Sequence, residues 1–139
     1  NGKIVAMGKA SDVKIPRNAL VIDGTGKYLM PGLAEMHAHI PPVDDMQAMK
    51  EVASLFLLNG ITTIRGMLGH PKPLELRGAI QRREVLAPNF YTTGPSFNGM
   101  SVKSPEAGAE MVRNQKKAGY DYLKLHPGLS RVKFDSIAR

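Results

Sequence analysis

At 139 residues with 42% apolar content and 24 Gly plus Pro, the chain has the size and composition of one ordinary globular domain and is not a disordered segment. It has no cysteine, which excludes a disulfide framework and thiolate metal sites. The formal charge of +7 would suit an anionic partner, but the Lys and Arg residues are scattered, with no basic run beyond two and no interleaved aromatics. A solvated surface is therefore expected, with no nucleic acid as partner.

The chain opens on Asn1-Gly2, a type I′ turn signal. A hairpin turn at the first residue implies a strand before it, so the N-terminus reads as truncated. Ile4-Val5-Ala6-Met7 is a short strand closed by Gly8, and Ala19 to Asp23 is a second. Asp23-Gly24-Thr25-Gly26 turns again. Residues 1–30 thus read as part of a small β-sandwich domain, and 31–139 as a separate domain.

Pro31-Gly32 leads into Leu33 to Ile40, which reads as one strand. Side chains alternate faces along a strand, so His37 and His39 point the same way, with Leu33 and Glu35. Ala34, Met36, Ala38 and Ile40 form an apolar opposite face. Two imidazoles at a strand's end form a metal-binding arrangement, although a pair of surface histidines would have the same spacing. Ile40-Pro41-Pro42 stops the strand.

The period then changes. Asp44 or Asp45 can cap a helix carrying Met46, Met49, Val52, Ala53, Phe56 and Leu57 on one stripe, with Asn59-Gly60 at its end. Ile61 to Arg65 is a β-branched strand. Leu74 to Glu84 is a second helix with Leu76, Ala79 and Ile80 buried, and Gly78 weakens it. Phe90 to Thr93 is a third strand. Ser104-Pro105-Glu106 starts a helix that runs to Ala118 and stops at Gly119. Tyr120 to Leu125 is a fourth strand, and Ser130 to Arg139 begins another helix. Strand and helix in alternation favour a parallel sheet with crossover helices. Four such units fit a small open α/β sheet or the first half of a (β/α)8 barrel, which needs about 250 residues. The partial barrel is the expected architecture.

In the fourth strand, Tyr122, Lys124 and His126 face one way and Leu123 and Leu125 the other. A lysine aimed into a barrel costs desolvation unless something uses it. Burial favours the neutral amine, which can take up carbon dioxide as a carbamate, an anionic oxygen ligand able to bridge two divalent ions. The other readings are a lysine that snorkels to the barrel mouth, or one that pairs with Glu35 or a phosphate. Arg65, at the end of strand two, can fork onto a substrate carboxylate or enter a structural ion pair. His126 and Tyr91 are further candidates for contact with substrate. Tyr91 and Tyr122 equally suit barrel packing. His70, in Gly69-His70-Pro71, reads as a surface loop residue.

The run from Asp23 to His39, with Met30-Pro31-Gly32-Leu33-Ala34-Glu35-Met36-His37-Ala38-His39 at its core, resembles the first barrel strand of the amidohydrolase superfamily. The imidazolonepropionase and prolidase-like branches are the most similar. The family usually has Asp where this chain has Glu35. The resemblance covers nearly the whole chain, and its specific parts are this motif and the Lys124 strand. It implies a sandwich completed by both chain ends, and a metal centre with His37 and His39 as ligands. It also implies a carboxylated lysine on strand four, at Lys124. Further histidines on strands five and six and a general-base aspartate on strand eight would lie beyond Arg139, so this stretch alone would be inactive.

The expected activity is hydrolysis of C–N bonds, in amides, peptide-like or cyclic substrates, by metal-activated water. The expected cofactors are one or two divalent ions, zinc first, and the CO2-derived carbamate. The alternatives are a mononuclear deaminase or imidazolonepropionase-like enzyme, and a non-catalytic barrel kept as a scaffold. A small-molecule substrate and a homo-oligomer are the expected partners. No membrane contact is expected, since no apolar run reaches the ~18–20 residues of a span. No signal peptide is visible, and the compartment stays open between cytoplasm and periplasm.

Overall fold

A computed structural model describes residues 3–41 and 43–139. The chain divides into two units, Asn1–Pro31 and Gly32–Arg139. In the first, the described residues form turns and irregular chain, with no strand or helix. The expected strands at Ile4–Met7 and Ala19–Asp23 are absent there, because a strand exists only where a neighbour pairs with its backbone. The turn at Asp23–Gly26 does form: the Thr25 amide donates to Asp23 Oδ1 at 2.9 Å and the Lys27 amide to the Gly24 carbonyl at 2.8 Å. The Asn1-Gly2 turn lies outside the described residues.

The second unit is an α/β structure around a parallel sheet. Its strands are β1 (Leu33–Ala38), β2 (Ile61–Gly66) and β3 (Asn89–Thr92), in spatial order β1-β2-β3. The helices are α1 (Met46–Leu58), α2 (Lys72–Gln81), α3 (Pro105–Ala118) and α4 (Arg131–Ala138). Three of the four start or stop on a side-chain or glycine cap. Asp45 caps α1 by accepting the amides of Gln47 and Ala48. Ser104 caps α3, and Gly119 closes it in the left-handed region at φ 93°. Ser130 caps α4 through the Lys133 amide.

Alternation along the strands decides what is buried. Ala38, Ile40, Ile64 and Phe90 face Met49 and Ala53 of α1 and Leu76 of α2, and all seven are almost fully buried. Ala34 and Met36, expected on the same packing face, stay exposed. A second cluster joins Phe97, Val102 and Ile137, with Leu123, Leu129, Met111 and Val112 against it.

Three features differ from simple strand geometry, the first being the single step from Leu33 to Ala34 set against two residues of β2, Ile61 to Thr63. From Glu35 to Ala38 is three residues of β1, set against two of β2, Ile64 to Gly66, so β1 carries one extra residue there. The expected fourth strand, Tyr120–Leu125, makes only single bridges, Thr93 with Tyr122 and Phe97 with Leu125. The chain between Thr93 and Phe97 bends away from a continuous ladder, so two anchor points replace a strand pair.

The loops that follow the strands touch through main chain. A Cβ on Gly69 would collide with the Gly94 carbonyl, and one on Gly99 would lie 2.6 Å from the Gly128 oxygen. Glycine is required at both positions by this close approach.

Candidate metal centre

The site starts from the end of β1. His37 is its penultimate residue and His39 lies one residue past its end. Their rings share a side, with centroids 5.2 Å apart and planes tilted by 46°. Across from them, Lys124 is 9% exposed and places Nζ 3.2 Å from His37 Nε2. The two side chains are 87 residues apart in sequence.

Lys124 is held there by its neighbours. The Phe97 amide donates to the Lys124 carbonyl and the His126 amide to the Phe97 carbonyl, each at 2.8 Å. Below it, Asp121 Oδ2 accepts the Thr92 amide at 2.9 Å and Arg77 at 2.6 Å. Leu123 points the opposite way, into the Phe97 cluster. The backbone is thus pinned on both sides of the lysine, and alternation then sends Lys124 toward the histidines.

Electrostatics set the imidazole's state. The Lys124 ammonium beside it is the main cause holding His37 below the ordinary histidine range, with burial, His39 and Arg65 adding to the effect and Glu35 opposing it. The neutral ring is the form that ligates a metal. Among the described residues no carboxylate lies within ion-pair distance of Lys124.

Arg65 donates from Nε to the Met36 carbonyl at 2.7 Å, and its guanidinium carbon lies 5.8 Å from the centre of the Tyr122 ring. Glu35 accepts the His37 amide at Oε1, at 2.8 Å. The sequence put Glu35 on the histidine face but gave it no part in holding His37; the only signal was a carboxylate two residues before the first histidine. Tyr91 is half-exposed, 6.3 Å from Tyr122 between ring centres. It lines a cavity of about 500 Å³ with Arg77, Arg83 and Asn89, and that lining includes neither histidine nor Lys124. His126 is exposed and lines a separate hollow with Pro127, Leu129 and Phe134. His70 sits apart, accepting the Lys72 amide at Nδ1.

Two imidazoles and a buried amine therefore meet, and they suit a divalent cation as part of a ligand set. Among the described residues no group of three His, Cys, Asp or Glu side chains converges in this way. Among them, too, no helix is long and apolar enough to cross a membrane.

Comparison with known proteins shows what the chain as a whole resembles. No family model matches the chain. It is 35% identical over 131 residues to an adenine deaminase from Clostridium perfringens, an alignment that spans 87% of this chain and 21% of that enzyme. A dihydroorotase from a Thermoanaerobacter species is 33% identical over 70 residues, 48% of this chain and 16% of its own length. A structure from Bifidobacterium longum assigned as a prolidase superposes with a TM-score of 0.78 at 28% identity, over 91% of this chain and 36% of that one. These relatives support the resemblance of the chain to a stretch of the amidohydrolase superfamily. They are amidohydrolase-type enzymes, and the chain spans about a fifth of the length of the curated ones it matches.

Proposed function

We propose that this chain forms the first βα units of a (β/α)8 barrel and supplies the opening ligands of a divalent metal centre that hydrolyses C–N bonds in a small-molecule amide or cyclic amide. The observation that carries the reading is the meeting of Lys124 Nζ with His37 Nε2 beside the His39 ring.

His37 and His39 would hold the cation through neutral imidazoles. When bound, such an ion lowers the pKa of a water and polarises a carbonyl. Lys124 would join the set after reaction with carbon dioxide: the amine nitrogen forms a bond to carbon, one proton leaves, and the lysine becomes an anionic carbamate. The enclosed setting of Lys124, 9% exposed, would shield such a carbamate from water. Arg65 and Tyr122 line the same side of the sheet and bound the space in which substrate would sit.

Metal analysis of the protein that carries this chain should find close to two zinc-like ions, and Lys124→Ala should remove one of them together with most amide-hydrolysing activity. Full activity and unchanged metal content in Lys124→Ala would refute the bridging role. The 35% identity to an adenine deaminase favours a second reading, a mononuclear deaminase in which Lys124 stays an amine. One ion per chain, with no carbon-13 carbamate signal after labelling with bicarbonate, selects that reading.

A further inference from the structure

The extra residue in β1 leaves Met36 and His37 outside the paired register with β2. These two residues share one peptide unit, and both of its polar groups are taken up by side chains. Its carbonyl, from Met36, accepts Arg65 Nε at 2.7 Å. Its amide, from His37, donates to Glu35 Oε1 at 2.8 Å. A bulge re-aims the side chain that follows it, and an unpaired peptide plane would be free to rotate. Here a cationic donor and an anionic acceptor grip it from opposite ends. Bonds to charged groups are the stronger kind, so the plane is held firmly.

We propose that Glu35 and Arg65 are positioning residues that clamp the Met36–His37 peptide and so aim the His37 imidazole at Lys124. The inference rests on the metal-centre reading for its purpose, though the clamp itself is a statement about the metal-free chain. Among the described residues Glu35 bonds within its own strand, whereas Arg65 comes from β2. The bulge is therefore tied both along the strand and across the sheet. Partners that orient a metal ligand without touching the metal are worth about 10–100-fold in metal affinity.

The test uses the protein that carries this chain at its natural length, with cobalt(II) as probe. Hydrogen exchange at the His37 amide in the metal-free protein reports the clamp alone. Glu35→Ala should speed that exchange on the order of tenfold, the loss of one charge-assisted hydrogen bond. It should also weaken cobalt binding by about 10–100-fold and change the visible absorption of the bound ion. Glu35→Gln, which keeps an acceptor oxygen, should restore exchange, affinity and spectrum to within about twofold, since a neutral hydrogen bond replaces the charged one. Arg65→Met, of similar length but with no donor, should reproduce the Glu35→Ala spectrum from the other end of the peptide.

Unchanged His37 exchange in Glu35→Ala, or cobalt affinity and spectrum unchanged in both Glu35→Ala and Arg65→Met, would overturn the proposal. In the unmutated protein, exchange of the His37 amide at the rate of a free peptide overturns it without any variant. Failure of the unmutated protein to bind cobalt would instead sink the metal-centre reading, and the exchange data would still decide the clamp.

Discussion

The described residues 3–31 and the unit from Gly32 onward are built from similar apolar material and end differently. In the first, Val5, Leu20, Tyr28 and Leu29 are 89–100% exposed and no strand or helix forms. In the second, Ile64, Leu76, Met49 and Ala53 are 0% exposed. Hydrophobic residues stabilise a fold only when another surface is available to cover them. The second unit has such surfaces because helix stripes recur beside strand faces. Residues 3–31 have short apolar runs with no periodic partner among themselves.

Core truncation gives the largest contrast. Leu76→Ala should cost about 2–5 kcal/mol, as other buried leucines do. Leu29→Ala, fully exposed, should stay within about 0.5 kcal/mol. Urea unfolding of both variants checks this, and a loss at Leu29 equal to that at Leu76 would break the comparison. A smaller effect belongs to α3: Ser104→Ala removes the cap on the Ala107 amide and should cost about 1 kcal/mol in the same assay.

The smallest effect concerns pH, and it separates the two regions by the origin of their shifts. His37 is lowered chiefly by Lys124, a contact that unfolding destroys. The unfolded chain then takes up a proton that the folded one refuses, so metal-free stability is complete above the ordinary histidine value of about 6.5 and falls as pH drops below it. Asp23 is lowered by the Thr25 hydroxyl and then by the Thr25 amide, two residues away. So local a contact can persist in the unfolded chain, which cancels its linkage. His37→Gln should flatten the stability profile just below about pH 6.5, and Asp23→Asn should leave its acid limb unchanged. A flat profile in the unmutated protein would remove the distinction.

The sequence exposed those features whose cause is local. Asp45, Ser104 and Gly119 announce helix ends because capping depends on residues within one turn. The shared side of His37 and His39 follows from strand alternation, which needs no knowledge of neighbours. The opposition of Lys124 and His37 needed the order of strands as well, and that came from the resemblance to a (β/α)8 family, not from the pattern of the strand itself. Tyr120–Leu125 shows where this stops. Its alternation is intact, yet the loop from Gly94 to Phe97 leaves it two bridges and no ladder. The grip of Glu35 and Arg65 on the Met36–His37 peptide was likewise hidden. One extra residue in a strand alters pairing across the sheet without leaving a mark in one chain's pattern. Ala34 and Met36 stayed exposed for a related reason, since burial requires a covering element at that height of the strand.

The glycine contacts behind the strands carry a consequence for how such a scaffold can diversify. At Gly69 against Gly94, and at Gly99 against Gly128, successive rim loops abut backbone to backbone. No side chain fits into that seam, and lengthening one loop there would dislodge its neighbour. Changes that add bulk must therefore fall on other stretches of these loops, around a stitched edge that stays the same.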